Sequence, residues 1–135
     1  MIADPIKVRR IDFSPDEWLA GTTKLSVIEK GCYWTVCCLI YSKGGPVDDD
    51  PAWLARNCGC DVRRWRSARA RLLALGKLIL LQPEKRAGNG TFAGGKLTNS
   101  RCEHELNKAR TRTILSRSAA ERSAMSRRSR RDLRR

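Results

Sequence analysis

The chain has 135 residues, enough for a single domain with a modest core. Its 28 lysines and arginines against 14 acidic residues leave a net charge of +14, which points to a polyanionic partner, nucleic acid before an anionic membrane surface. No apolar run reaches the ~18 residues of a membrane-crossing helix and Met1 to Phe13 lacks the apolar core of a signal peptide, so the expectation is a soluble cytoplasmic protein with no membrane partner.

Residues 1–12 read as an irregular basic arm carrying Lys7, Arg9 and Arg10. Ser14 and Glu17 then have capping-box spacing, with Pro15 at the first helical position, and Gly21 is expected to stop a short helix. Trp18 and Leu19 would anchor it to the core. Ser26 and Glu29 repeat the box and open a helix to about Tyr41. Ile28, Cys32, Thr35, Val36 and Leu39 share one face of it, and Trp34, Cys38 and Ile40 widen that face. A helix apolar on most sides is buried on most sides, so this segment is expected to be the central scaffold. Gly44-Gly45-Pro46 breaks it, and Pro46-Val47 suits a short extended piece.

The stretch from Asp49 to Gly76 predicts two helices joined by a tight turn, a helix-turn-helix. Asp50 caps the first helix with Pro51 behind it, and Asn57 to Gly59 ends it. Small Ala55 and Gly59 suit a close helix crossing, and Asp61 caps the second helix. Leu54, Cys58, Val62, Trp65, Ala68 and Leu72 are the inward positions. The outer arc carries Arg63, Arg64, Ser67 and Arg71, with Arg66 and Arg69 at its edges. An arginine face with no carboxylate after Asp61 repels itself unless a polyanion neutralises it, although a merely basic surface helix is the plain alternative.

Lys77 to Leu81 is a short β-prone run bounded by Gly76 and Pro83, Asn89-Gly90 is a hairpin turn, and Lys96-Leu97-Thr98 returns as a second strand. A hairpin behind a basic helix has the layout of a wing, with Lys85, Arg86 and Lys96 giving it positive charge and Lys77 at its base. Ser100 and Glu103 form a third capping box. The helix behind it carries an apolar stripe of Cys102, Leu106, Ala109 and Thr113 that fades beyond Leu115. From residue 101 onward there are 12 basic and 4 acidic residues, so residues 116–135 read as an Arg-rich helical extension or a disordered tail. The fold class is therefore mainly α with a small β-hairpin: a winged helix-turn-helix over residues 13–115 with a long basic C-terminal helix or tail.

Chemistry is sparse. Cys58-Gly59-Cys60 with Cys102 and His104 offers four zinc-ligand types, but a single residue between the first two is not a standard spacing, and reduced thiols are the expectation. Asp48-Asp49-Asp50 is explained by capping, one histidine supports no acid–base site, and no glycine loop has P-loop spacing. No enzyme and no cofactor are expected.

Several stretches together resemble the YdaU-like family of phage and prophage proteins, which look like replication-initiation proteins. They are Trp18 to Thr22, Leu25-Ser26 with Glu29-Lys30-Gly31 and Tyr33, Gly45-Pro46-Val47, Leu54-Ala55-Arg56, Trp65, Leu72-Leu73 with Gly76-Lys77, and Leu97-Thr98-Asn99 with Arg101 and Glu105. The resemblance implies a winged-helix domain in a phage-encoded replication or regulatory setting, at work on the nucleoid of a bacterial host. Double-stranded DNA is the expected partner, with the second helix of the helix-turn-helix in the major groove. The alternative is a replisome scaffold whose C-terminal stripe pairs with a partner or a second copy. RNA binding ranks last, because Trp18, Trp34, Trp53 and Trp65 all fall at expected core positions.

Overall fold

The computed structural model describes residues 10–82 and 94–135. Its elements run α1 (Pro15–Thr22), α2 (Val27–Lys43), β1 (Val47–Asp48), α3 (Pro51–Cys58), α4 (Val62–Ala74), β2 (Ile79–Leu81), β3 (Lys96–Thr98) and α5 (Ser100–Leu133). The Asn89-Gly90 turn, Lys85 and Arg86 lie outside the described residues.

Local chemistry sets most boundaries. Ser26 accepts from the Glu29 N–H at 3.2 Å while Glu29 accepts from the Ser26 N–H, a complete capping box on α2. Asp50 and Asp61 cap α3 and α4 in the same manner, accepting from the Trp53 and Arg64 amides. Gly59 takes φ +74° between the two helices, a conformation that costs a side-chain-bearing residue energy. Nothing lies within 4 Å of where its Cβ would be, so Gly59 serves the turn and not the close crossing expected of it. Gly21 lies inside α1, which ends one residue later at Thr22.

The sheet has three antiparallel strands in the order β1-β3-β2, one more than the two-stranded hairpin expected. Val47 and Leu80 both face Leu97 across the central strand. The Asp49 N–H continues the pairing by donating to the Gly95 carbonyl at 2.9 Å. A Cβ at Gly95 would sit 2.8 Å from the Leu81 carbonyl oxygen, so only glycine lets β2 approach there.

One core joins the layers: Val36 and Ile40 from α2, Leu54 from α3, Trp65 and Leu72 from α4, Leu97 from β3 and Leu106 from α5 are all buried. Three sequence expectations fail here. Leu19, expected to anchor α1 beside Trp18, is 62% exposed, and only Trp18 packs on the core. Ile28, Trp34 and Cys38, assigned to the buried side of α2, are exposed, because the core packs on the face carrying Cys32, Tyr33, Val36, Cys37 and Ile40. The cap of α5 is Asn99 and not Ser100. The Asn99 Oδ1 accepts from the Cys102 N–H at 2.9 Å, and its Nδ2 donates to the Lys77 carbonyl at 2.6 Å and to the Tyr33 hydroxyl at 3.2 Å. Asn99 wins because its amide satisfies three groups at once, and Glu103 instead accepts from the Thr98 hydroxyl at 2.5 Å. Burial pushes the Tyr33 phenol up to about 12, so it stays a neutral partner of that amide.

α5 runs on as one helix to Leu133, with Cys102, Leu106 and Ala109 as its buried side chains. Arg101 pairs with Glu17, Arg110 donates to the Gly44 carbonyl and Arg112 pairs with Asp12 at 3.5 Å. The first basic residues of α5 therefore dock it to the body. No described helix is long and apolar enough to cross a membrane.

Asn99→Ala is expected to cost about 2–3 kcal/mol, a lost cap plus orphaned buried groups, whereas Ser100→Ala should change little. Urea denaturation of both variants checks the assignment.

Candidate nucleic-acid interface

The helix-turn-helix segment folds as α3, a glycine turn and α4, and the buried face of α4 is Trp65, Ala68 and Leu72. Its period of 3.6 then sends Arg63, Ser67, Ala70 and Ala74 straight outward, all exposed. Arg66 flanks this line on one side, Arg64 and Arg71 on the other, and these too are exposed. Three of the four central positions are small, so the outer surface of α4 is flat between guanidinium-bearing edges.

The arginines are less uniform than their spacing suggests. Arg69 is half-buried and clamped by a fork, Nε to Asp49 Oδ1 at 3.0 Å and Nη2 to Oδ2 at 2.6 Å. Asp49 lies between β1 and α3, so this bidentate pair ties α4 to the sheet end. Arg71 Nε stands 3.7 Å from Glu29 on α2, and Arg64 stands 3.7 Å from its own helix cap Asp61. Both arginines are exposed, and contacts of that length stabilise little and release easily. Among the described residues Arg63 and Arg66 have no carboxylate within ion-pair distance. The wholly unpaired face expected from α4 alone is thus corrected: carboxylates from other elements reach Arg69 and Arg71.

The remaining basic candidates are dispersed. Lys96 is exposed on β3, on the opposite side of that strand from buried Leu97, with its Nζ 3.4 Å from Asp48. Lys77 is half-buried and turns toward α1, its ammonium 3.5 Å from where a Gly21 Cβ would stand. It borders a 240 Å³ cleft with Glu17 and Arg101, away from the outer line of α4. Sequence reasoning missed Asp49 and Glu29 as parts of this surface. Their partners lie 20 and 42 residues away along the chain, and no local periodicity reports such a pair.

The cysteines follow the core. The Cys58 thiol points at the Cys32 carbonyl at 4.0 Å, while Cys102 neighbours Cys37 and Tyr41. Cys58 and Cys102 therefore have different thiol partners. A hydrogen bond from Cys58 and burial push the Cys32 thiol up, and Cys102 and burial do the same to Cys37, so both stay protonated at neutral pH. Among the described residues no group of three or more His, Cys, Asp or Glu is placed to hold a metal ion.

Residues 11–107 match the model of a family described as "Protein of unknown function (DUF1376)". The chain belongs to that family. The match takes in α1 to α4, the sheet and the docked first turns of α5. No curated protein and no solved structure gives a significant match.

Arg69→Ala is expected to cost about 1–3 kcal/mol, since it strips Asp49 of a half-buried fork. Arg63→Ala and Arg66→Ala should stay within about 0.5 kcal/mol of the parent. Equilibrium unfolding of the three variants separates the fold-holding arginine from those free for a ligand.

Proposed function

We propose that this protein binds double-stranded DNA as a winged helix-turn-helix module, with the outer face of α4 in the major groove. The observation that carries the reading is the line Arg63, Ser67, Ala70 and Ala74, small at its centre, flanked by Arg66 on one side and Arg64 and Arg71 on the other. A groove-entering helix needs low bulk where it meets base edges and cations where it passes phosphates. The element order α2-β1-α3-α4-β2-β3 with strand order β1-β3-β2 supports the winged reading, which makes α4 the recognition helix and the β2-β3 pair the base of the wing.

In this reading Arg63 and Arg66 are the first ligand contacts, because neither has to leave a carboxylate among the described residues. Arg64 and Arg71 exchange long contacts at 3.7 Å for phosphate. Arg69 keeps Asp49 and positions the helix. The exposed cations of α5 beyond Thr113 add backbone contacts without sequence preference. The resemblance to phage and prophage replication proteins makes initiation of replication or transcriptional control the biological setting we favour.

Anisotropy titration of duplex DNA across a salt series tests the reading. With about five phosphates neutralised, log K should fall against log salt with a slope of about −4 to −5. Arg63→Ala with Arg66→Ala should weaken binding and reduce the magnitude of that slope by about two. A folded double variant that binds as tightly as the parent at every salt concentration would remove α4 as the DNA surface.

A further inference from the structure

The side of α2 turned away from the core carries Val27, Gly31, Trp34 and Cys38 at i, i+4, i+7 and i+11, all exposed. Val27 is 87% exposed and Trp34 45%, and Phe13, 53% exposed, sets its ring edge-on to Trp34 at 5.5 Å. α2 has no charged side chain between Lys30 and Lys43. Because α2 packs on α4 through its opposite face, this stripe looks away from the arginine line.

Gly31 is the telling residue. An interior helical glycine costs about 1 kcal/mol relative to alanine. Here its backbone has no positive φ, and nothing lies within 4 Å of where a Cβ would stand. The fold has no use for the missing side chain. A second helix crossing the stripe would, since the notch between Val27 and Trp34 lets its backbone come close. On the other side of Trp34 a 210 Å³ cavity opens between Phe13, Trp34, Cys38 and Tyr41, with Asp12, Asn99 and Arg101 also in its lining. A closed apolar cavity of about 150 Å³ already accepts a benzene ring, so this one has room for a large apolar side chain.

We propose that this face of α2 docks an amphipathic acidic helix of a partner protein. Charge selects the occupant. Lys24 and Lys30 border the stripe, both exposed and without a carboxylate in ion-pair range among the described residues. A second copy would bring another +14 and the same lysines against them. An acidic helix is attracted instead, and its apolar residues at i, i+3 and i+7 meet the stripe in the helix-in-groove mode. The surface lies behind the proposed DNA face, so the two can be occupied together.

The test uses the full chain and a fluorescein-labelled helical peptide with leucines at i, i+3, i+7 and i+10 and glutamates elsewhere. A scrambled peptide of the same composition and a version with lysine for glutamate are the controls. The parent should bind the acidic amphipathic peptide at least about tenfold tighter than either control. Gly31→Arg fills the notch, improves helix propensity and keeps the rim positive. It should lose binding about tenfold with unchanged circular dichroism and unchanged DNA affinity. Lys24→Glu with Lys30→Glu should lose binding as well. Equal binding of the acidic and scrambled peptides, or a Gly31→Arg variant that binds like the parent, overturns the proposal. So does sedimentation showing a parent dimer that Gly31→Arg converts to monomer, since a second copy would then be the occupant.

Discussion

The side chain of Asn99 holds together three parts of the chain that share no local sequence. Its amide donates to the carbonyl of Lys77, just past α4, and to Tyr33 of α2, while its oxygen caps α5 through Cys102. These groups are buried or half-buried and depend on one side chain, so losing the amide orphans several of them at once. Tyr33 is itself stacked on Trp18, with ring centroids 5.1 Å apart, which passes the constraint to α1. The end of α4, the start of α5 and the packing of α1 are therefore fixed by one small amide and its neighbours.

A second constraint holds the middle of α4. The Asp49 fork on Arg69 joins the middle of the helix to the strand that precedes α3, and β1 is in turn paired with β3. An arginine that seemed free to meet a ligand is a strut. Its neighbours are left at the surface, Arg64 and Arg71 with contacts of 3.7 Å and Arg63 and Arg66 with no carboxylate in ion-pair range among the described residues. Self-repulsion among those cations is tolerable because the fork, the caps and the buried Trp65 hold α4 in place. A polyanion arriving there would relieve a cost that the fold already bears.

Much of the fold could be read from the sequence because its signals are local. The box at Ser26 and Glu29, the caps at Asp50 and Asp61 and the turn at Gly59 each act within four residues, and the helices lie close to where those signals put them. What went unread depends on distance. β1 joins the sheet only by pairing with a strand some fifty residues later, and Asn99 displaces Ser100 as a cap because of Tyr33 and Lys77. Periodicity shows that α2 is apolar on several sides, but not that Val27 is left uncovered and that Trp34 meets Phe13 and Trp18 at the edge of the core. For the candidate site the outward arginines were legible, while their division into strut and free cations was not.

The central claim is that the outer face of α4 meets nucleic acid. Titrating duplex DNA into isotopically labelled protein and following the backbone amides by NMR tests it most directly. The account predicts that the largest shifts or broadening fall on Val62 to Ala74, with smaller ones near Lys96, while the amides around Gly31 and Trp34 stay still. Perturbations confined to α5 beyond Thr113, with α4 unmoved, would contradict it.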